Sequence, residues 1–202
     1  MRVLARFVKS AVEAKQFPAP ALPEIAFLGR SNVGKSSVIN TLVGAKIAKT
    51  SSTPGRTRMI NFFEVRLAGK PRPEMLFVDL PGYGYAKLSR EVSAEWPKFI
   101  DPYLTEREPL ALCISLVDAN IAPQESDRKL FEFLRAAGRP FLVVGTKADK
   151  LSGNQLANQM RKLSEGLGVE RIIPFSAKGG QGRDELWREI RQACDAPAVT
   201  VD

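Results

Sequence analysis

The sequence predicts an α/β fold with a mostly parallel central sheet and helices on both faces. Short apolar runs of the kind that buried strands make alternate along the chain with longer stretches of helical periodicity. Parallel neighbours need crossover connections, and right-handed crossovers carry the helices onto the two faces of the sheet. The 202 residues suit a single domain. We expect a basic N-terminal arm over 1–24, one domain over 25–195 and a short tail over 196–202.

The elements follow one another in a regular order. The strand candidates are the apolar runs at 25–28, 75–78, 141–144 and 172–175, and the run that contains Cys113. The helix candidates are the stretches at 35–43, 89–107, 122–137, 152–166 and 182–194. In the second of these, Trp96, Phe99 and Tyr103 recur at spacings of three and four. That stripe is typical of a core-facing helix side, which we favour over a platform for stacking bases.

A glycine-rich segment directly after the first apolar run predicts a nucleoside triphosphate site. It fits the phosphate-loop pattern G-x-x-x-x-G-K-[ST]. Glycine at both ends lets the backbone turn tightly and aim N–H groups at the α- and β-phosphates, and the following helix adds its positive N-terminal dipole. Lys35 is expected to reach the β- and γ-phosphates, and the Ser36 hydroxyl to bind Mg2+. The predicted contacts are Gly29, Arg30, Ser31, Asn32, Val33, Gly34, Lys35, Ser36 and Ser37.

Two later loops are expected to recognise guanine. The carboxylate of Asp149 is able to accept hydrogen bonds from N1–H and from the exocyclic amino group of guanine, a donor pair that adenine lacks. Lys147 can lay its methylene stem along the base. In the second loop, the backbone N–H of Ala177 is placed to bond guanine O6. The expected base contacts are Thr146, Lys147, Ala148, Asp149, Phe175, Ser176, Ala177 and Lys178.

Two turn-rich segments complete a nucleotide switch. In Asp79-Leu80-Pro81-Gly82, Asp79 is expected to hold Mg2+ through a water, and the Gly82 N–H to bond the γ-phosphate until hydrolysis releases it. The polar segment at 51–58 stands where a first mobile switch would lie. It offers Thr57 and Thr53 as a second hydroxyl ligand of Mg2+, and spacing alone does not choose between them.

The ordered motifs GRSNVGKS, PGRTR, DLPG, TKAD and SAK resemble those of the translation-factor-related, Era-like GTPases, and of the EngB family in particular. The resemblance spans about 7–193 and includes the segment DLPGYGYA at 79–86. It implies a P-loop NTPase G domain that binds GTP and GDP, with Thr57 as the metal ligand. The nucleotide contacts that it implies in the first switch are Gly55, Arg56, Thr57, Arg58 and Met59.

The same resemblance implies a role in assembly of the large ribosomal subunit and in normal cell division and septation. The chain departs from it at 118–121, where Asn120 stands in place of the Arg that we expect in many relatives. Because this position lies outside the nucleotide motifs, we expect the departure to affect partner contacts only and to leave GTP binding unchanged.

The catalytic arrangement differs from that of a Ras-like enzyme. Tyr83 follows the DLPG segment, where such an enzyme has a water-orienting Gln. We assign Tyr83 no catalytic role and expect it to pack against apolar neighbours. Asn32 matches the position at which some Era-like GTPases coordinate K+, a cation that would stand near the β- and γ-phosphates. The catalytic candidates are Lys35, Thr57 and Asn32, and without an arginine finger the isolated protein is expected to turn over slowly.

The formal net charge of +8 predicts a polyanionic partner, although basic residues spread along a chain are also typical of a generically basic surface. Ribosomal RNA and proteins of the large subunit or its precursor are the expected partners, and no DNA is expected. The candidate contacts are Arg2, Arg6, Lys9, Lys15, Arg56, Arg58, Arg66, Lys70 and Arg72.

The cysteine spacing argues against a metal site, and the length of the apolar runs argues against a membrane span. Cys113 and Cys194 lack the spacing of a metal site and are expected to be reduced thiols. No run approaches the roughly 20 apolar residues that a membrane span needs, so we expect a cytoplasmic protein, and a monomer. Two alternatives stay open: a nucleotide-gated module that acts directly on the division machinery with little hydrolysis, and an ATP-using phosphotransferase, which Asp149 disfavours.

Overall fold

Seven strands form one mixed sheet in the computed structural model of the chain, which describes residues 2–48, 59–83 and 100–196. In chain order they are Val3–Ala11 (β1), Glu24–Gly29 (β2), Ile60–Leu67 (β3), Met75–Asp79 (β4), Leu110–Asp118 (β5), Phe141–Thr146 (β6) and Ile172–Pro174 (β7). They lie in the order β1-β3-β4-β2-β5-β6-β7. The neighbours from β4 to β7 are parallel, whereas β3 is antiparallel to both β1 and β4. The predicted α/β fold with a mostly parallel sheet is confirmed.

Four helices lie close to their predicted positions, and 89–99 of the helix predicted at 89–107 lies outside the described residues. They are Lys35–Val43 (α1), Glu125–Ala136 (α2), Gly153–Leu167 (α3) and Arg183–Asp195 (α4), with 3-10 turns at Ala14–Gln16 and Ala148–Lys150 and a further helical stretch at 100–106. The helix predicted from 122 starts later, because Pro123 disfavours helical backbone at the residue before it. Tyr103 is fully buried, as expected, while Trp96 and Phe99 lie outside the described residues. No helix in the described part of the chain is long and apolar enough to cross a membrane.

Alternating side chains of the central strands build two apolar cores, one on each face of the sheet. In β2, Ile25 and Phe27 pack in a core with buried residues of α1 and α4. Ala26 and Leu28 pack in the other core, with residues of α2, α3 and the stretch 100–106. The expectation of helices on both faces is therefore confirmed.

The first strand lies within the segment 1–24 that we predicted as a basic arm. β1 runs along the edge of the sheet beside β3, with a bulge between Phe7 and Lys9. Its ends, Val3 and Ala11, are buried, and the Phe7 ring meets the Phe63 ring edge-on at 5.7 Å between centroids. Because a bulged edge strand buries only part of one face, its sequence lacks the alternation that marks a strand.

The two cysteines are free thiols, as expected. Cys113 is buried in β5, and Cys194 is half-buried near the end of α4. Burial raises the pKa of each to about 12, so both stay protonated and unreactive at neutral pH.

A buried carboxylate joins three separate parts of the fold. Glu24, which is fully buried at the start of β2, accepts hydrogen bonds from the Tyr103 hydroxyl at 2.9 Å and from both Nε and Nη2 of Arg107, the shortest at 2.5 Å. The Arg107 guanidinium also donates to the Pro18 carbonyl at 2.8 Å and lies over the Phe17 ring. The central strand, the stretch 100–106 and the segment before β2 are thus held together at one point.

Replacing this carboxylate is expected to destabilise the protein strongly. We expect Glu24→Ala to lower the free energy of unfolding by about 3–5 kcal/mol, because it leaves the charge of Arg107 nearly buried without its partner. Urea unfolding followed by circular dichroism measures the change. Lys129→Ala is the control: it breaks an ion pair with Glu125 in which both side chains are more than 70% exposed, at 72% and 76%, and is expected to have no measurable effect. Equal effects of the two substitutions would contradict this prediction.

Candidate nucleotide-binding site

The predicted nucleotide motifs meet at one edge of the sheet. Gly29 ends β2, Asp79 ends β4, Asp118 ends β5 and Thr146 ends β6, and these strands are parallel neighbours. The carboxyl ends of parallel strands meet at the same edge, which is where ligands bind in open α/β sheets. The sequence motifs are therefore brought together although they are dispersed along the chain.

The loop between β2 and α1 adopts the tight turn that its sequence predicts. Gly34, at the N-cap of α1, has φ 105° and ψ 18°, a left-handed conformation that a residue with a Cβ rarely adopts. Asn32 is also left-handed, with φ 65°, which asparagine tolerates better than most residues. The first N–H groups of a helix have no acceptor within it, so the start of α1 offers donors and a positive dipole to an anion.

Lys35 and Asp79 lie in contact at this edge. The Lys35 ammonium donates to Asp79 Oδ1, and the two side chains are only 12% and 8% exposed. Ser36 follows Lys35 in the first turn of α1. The Asp79 carboxylate thus lies in contact with the residue that precedes Ser36, and carboxylate and hydroxyl oxygens are hard donors that suit Mg2+. These residues fit the magnesium site predicted from the sequence.

The loop after β6 is tied directly to the phosphate loop. The buried Thr146 hydroxyl contacts the Val33 carbonyl at 2.6 Å and the Val117 carbonyl at 3.1 Å. Lys147, in a left-handed conformation with φ 58°, places its ammonium 3.1 Å from the Asn32 carbonyl. The base motif and the phosphate motif are thus held at a defined separation.

The segment 118–121 contacts a predicted nucleotide motif directly, a contact that the sequence did not predict. Asp118 Oδ2 lies 2.7 Å from Lys147 Nζ, and the Asn120 side-chain amide donates to the Lys147 carbonyl at 3.2 Å. Burial alone would raise the pKa of Asp118, but hydrogen bonds from Lys147 and Asn120 outweigh it and hold that pKa below its ordinary value. The carboxylate therefore stays ionised beside Lys147. Asn120 lies against the predicted base motif, and the expectation that GTP binding is unchanged stays a prediction.

The loop after β7 is bonded to the base motif through Ser176. The buried Ser176 hydroxyl donates to Asp149 Oδ1 at 2.8 Å and accepts from the Gly179 N–H at 3.1 Å. The Ala148 N–H donates to the Phe175 carbonyl at 3.1 Å. Ala177 and Lys178 are exposed beside this pair. The predicted guanine-recognition residues therefore form one connected group.

The DLPG segment lies against the phosphate loop. The Tyr83 N–H donates to the Gly29 carbonyl at 3.3 Å, and the Ser31 N–H donates to the Tyr83 carbonyl at 3.1 Å. A Cβ added to Gly82 would lie 3.1 Å from the backbone of Ser31, so a side chain there would push the two segments apart. Gly82 is thereby kept beside the loop that is expected to hold the phosphates.

The Tyr83 side chain has a partner that sequence reasoning did not identify. Its ring packs against the apolar core of the α2 face, as expected, and its hydroxyl also donates to Asp127 Oδ1 at 2.8 Å. Asp127 lies in the first turn of α2 and is 3% exposed. No motif marks Asp127, because an acidic residue in the first turn of a helix is usually explained by the helix dipole.

Most of the first switch lies outside the described residues. Thr53, Gly55, Arg56, Thr57 and Arg58 belong to that part of the chain, so the assignment of Thr57 as a metal ligand stays a prediction. Met59 directly precedes β3 and is 41% exposed.

Comparisons with known proteins agree with these motifs. A family model described as "50S ribosome-binding GTPase" matches residues 24–147. The probable GTP-binding proteins EngB of Koribacter versatilis and Acidobacterium capsulatum are 64% and 58% identical to the chain, over 98% and 95% of it and 99% and 92% of their own lengths.

Solved structures share the fold. A crystal structure of a probable GTP-binding protein EngB superposes with a TM-score of 0.68 at 26% identity, covering 85% of this chain and 98% of that one. Era in complex with MgGDPNP and nucleotides 1506–1542 of 16S ribosomal RNA superposes with a TM-score of 0.69 at 24% identity, over 90% of this chain and 59% of that one. The first likeness and the two curated relatives, which align over nearly their whole lengths, show that the chain belongs to the EngB family of GTP-binding proteins.

Proposed function

We infer that the chain is a Mg2+-dependent GTPase that switches between GTP and GDP states and assists assembly of the large ribosomal subunit. The observation that carries the nucleotide part is the contact of the Thr146 hydroxyl with the Val33 carbonyl of the phosphate loop, together with the bond from Ser176 to Asp149 in the same loop as Thr146. It supports a site in which a phosphate-binding helix terminus and a guanine-selective carboxylate lie on one edge of the sheet. In this proposal the protein is cytoplasmic and monomeric. Its loss disturbs cell division and septation indirectly, because ribosome assembly is then impaired.

Each motif has a defined task in the proposed site. The N–H groups of 29–36 and the Lys35 ammonium bind the phosphates, and Lys35 exchanges its contact with Asp79 for the β- and γ-phosphate oxygens. Ser36 and Thr57 would hold Mg2+ directly and Asp79 through a water. When bound there, Mg2+ would supply positive charge to neutralise the charge that develops on the transferred phosphoryl group. Asp149 accepts from the guanine N–H groups, Ala177 donates to O6, and the Lys147 stem lies along the base.

The guanine assignment is tested by changing its acceptor. We expect Asp149→Asn to weaken GDP binding about 100-fold, because two hydrogen bonds to a charged acceptor are lost. The bond from Ser176 survives, since the amide oxygen still accepts. Xanthosine diphosphate should bind this variant more tightly than it binds the wild type, because its C2 carbonyl accepts from the new amide. Titration calorimetry with both nucleotides measures this. Asp184→Asn, at a side chain that is 96% exposed on α4, is the control, and unchanged GDP affinity in Asp149→Asn would refute the assignment.

Hydrolysis is proposed to be slow and to depend on K+. Tyr83 is bonded to Asp127, which supports our view that it does not orient the water. We expect the wild type to release phosphate about an order of magnitude faster in K+ than in Na+ at equal ionic strength, since a fixed cation stabilises the transition-state charge.

Asn32→Gly is the variant for this test. Glycine adopts the left-handed conformation of residue 32 readily, so the loop keeps its shape while the amide oxygen is removed. We expect this variant to bind GDP normally and to hydrolyse GTP at the same rate in both salts. Equal rates of the wild type in K+ and Na+ would count against the cation role.

A ribosomal partner is supported by the basic surface and by the relatives. The matching family model carries a 50S ribosome-binding description, and the structurally similar Era was solved with ribosomal RNA. Among the candidate contacts, Arg6, Lys15 and Lys70 each pair with an acidic neighbour, Glu64, Glu13 and Glu74 respectively. Arg2, Lys9, Arg66 and Arg72 are therefore the positions of this set that we favour, together with Arg56 and Arg58.

Sedimentation of a cell lysate tests this partner. With a non-hydrolysable GTP analogue, we expect the protein to migrate with the large subunit at low salt and to dissociate as salt rises, because phosphate contacts release counterions. With GDP, it should stay at the top of the gradient. Asp149→Asn with the same guanine analogue is the matched control, since it should not reach the GTP-like state. Migration at the top in both nucleotide states would remove the ribosomal role and favour a direct action on the division machinery.

A further inference from the structure

A partly buried hydrogen bond links the residue after DLPG to α2, the helix that follows β5. The Tyr83 hydroxyl donates to Asp127 Oδ1 at 2.8 Å, across 44 residues of sequence. Asp127 is 3% exposed and lies in the first turn of α2, whose positive N-terminal dipole favours an acidic side chain there. An anchored helix thus fixes the tip of this side chain.

The backbone of Tyr83 is fixed at the same time by the phosphate loop. It exchanges hydrogen bonds with Gly29 and Ser31 as a short parallel bridge beyond the ends of β2 and β4. Gly82 precedes this bridge and lies so close to Ser31 that an added Cβ would stand 3.1 Å from its backbone. Tyr83 is therefore fixed both at its side chain and at its backbone. Gly82 lies in the chain between Tyr83 and the end of β4, so it is held in place from both directions.

The electrostatic setting keeps the side-chain bond intact. Burial raises the pKa of the Tyr83 phenol well above its ordinary value, so the hydroxyl keeps its proton and remains a donor. Burial also raises the pKa of the Asp127 carboxyl, while the hydrogen bond from Tyr83 and the charge of Arg30 act in the opposite direction. Arg30 belongs to the phosphate loop, so the same loop that binds Tyr83 through its backbone also acts on the pair through this charge.

We propose that Asp127 is a positioning residue for the GTP state: acting through Tyr83, it holds the Gly82 N–H where it meets the γ-phosphate. This role rests on the proposed function, in which Gly82 donates to the γ-phosphate of GTP. GDP lacks that phosphate and is bound by the phosphate loop and the base motifs alone. Asp127 therefore contributes to the preference for GTP over GDP, which a purely structural residue would leave unchanged.

The test compares two nucleotides in four variants of the full chain. We expect Asp127→Ala and Tyr83→Phe each to weaken binding of the non-hydrolysable analogue GMPPNP about tenfold, the size of one hydrogen bond to a charged acceptor. GDP affinity should stay within about twofold of the wild type. The double variant should be no weaker than either single variant, because both remove the same bond. Asp127→Asn should keep most of the GMPPNP affinity, since its amide oxygen still accepts from Tyr83.

Tyr103→Phe is the matched control. It also removes a buried bond from a tyrosine hydroxyl to a carboxylate, at 2.9 Å to Glu24, but it lies outside the nucleotide site. It should lower stability and leave the ratio of GMPPNP to GDP affinity unchanged. If Asp127→Ala weakens both nucleotides equally, or neither, the positioning role is wrong. A wild type that binds neither nucleotide would instead refute the proposed function, so the two failures are distinguishable.

Discussion

The buried contact between the Thr146 hydroxyl and the Val33 carbonyl, at 2.6 Å, is the constraint on which the candidate site depends. Thr146 ends β6 and Val33 lies in the loop after β2, so the contact crosses β5, which separates these strands in the sheet. The Lys147 ammonium adds a second link, to the Asn32 carbonyl. Both links run from adjacent side chains of one short loop to backbone carbonyls of the phosphate loop, so they fix the position of the two loops relative to each other.

Local pattern was sufficient for the fold and for the residues that stand next to a strand end. Lys35, Asp79 and Asp149 each lie within seven residues of the end of an apolar run, so their place at the carboxyl edge follows from the parallel sheet. Neither β1 nor β3 is among the strands that the sequence predicts, because the two pair with each other across about 49 to 64 positions of sequence. Edge strands are stabilised by the sheet that they join, and their own pattern is correspondingly weak.

The residues that sequence reasoning missed act through long-range contacts. Asp118 and Asn120 meet Lys147 across 27 to 29 residues, and Asp127 meets Tyr83 across 44. A lone Asp or Asn beyond a strand or in the first turn of a helix has an ordinary local explanation as a cap or turn residue. Only the packing of α2 and the end of β5 against the two motifs shows that these side chains support the nucleotide loops.

The order of the strands in the sheet has a consequence for how the chain folds during synthesis. β2 lies at the centre, between β4 and β5, so its second neighbour does not exist until Leu110–Asp118 has left the ribosome. β1 likewise has no partner until β3 has been made. More than half of the chain must therefore emerge before the central strand is paired on both sides, and long-range pairing of this kind slows folding. During that interval the unpaired edge of the apolar strand β2 is open to non-native pairing.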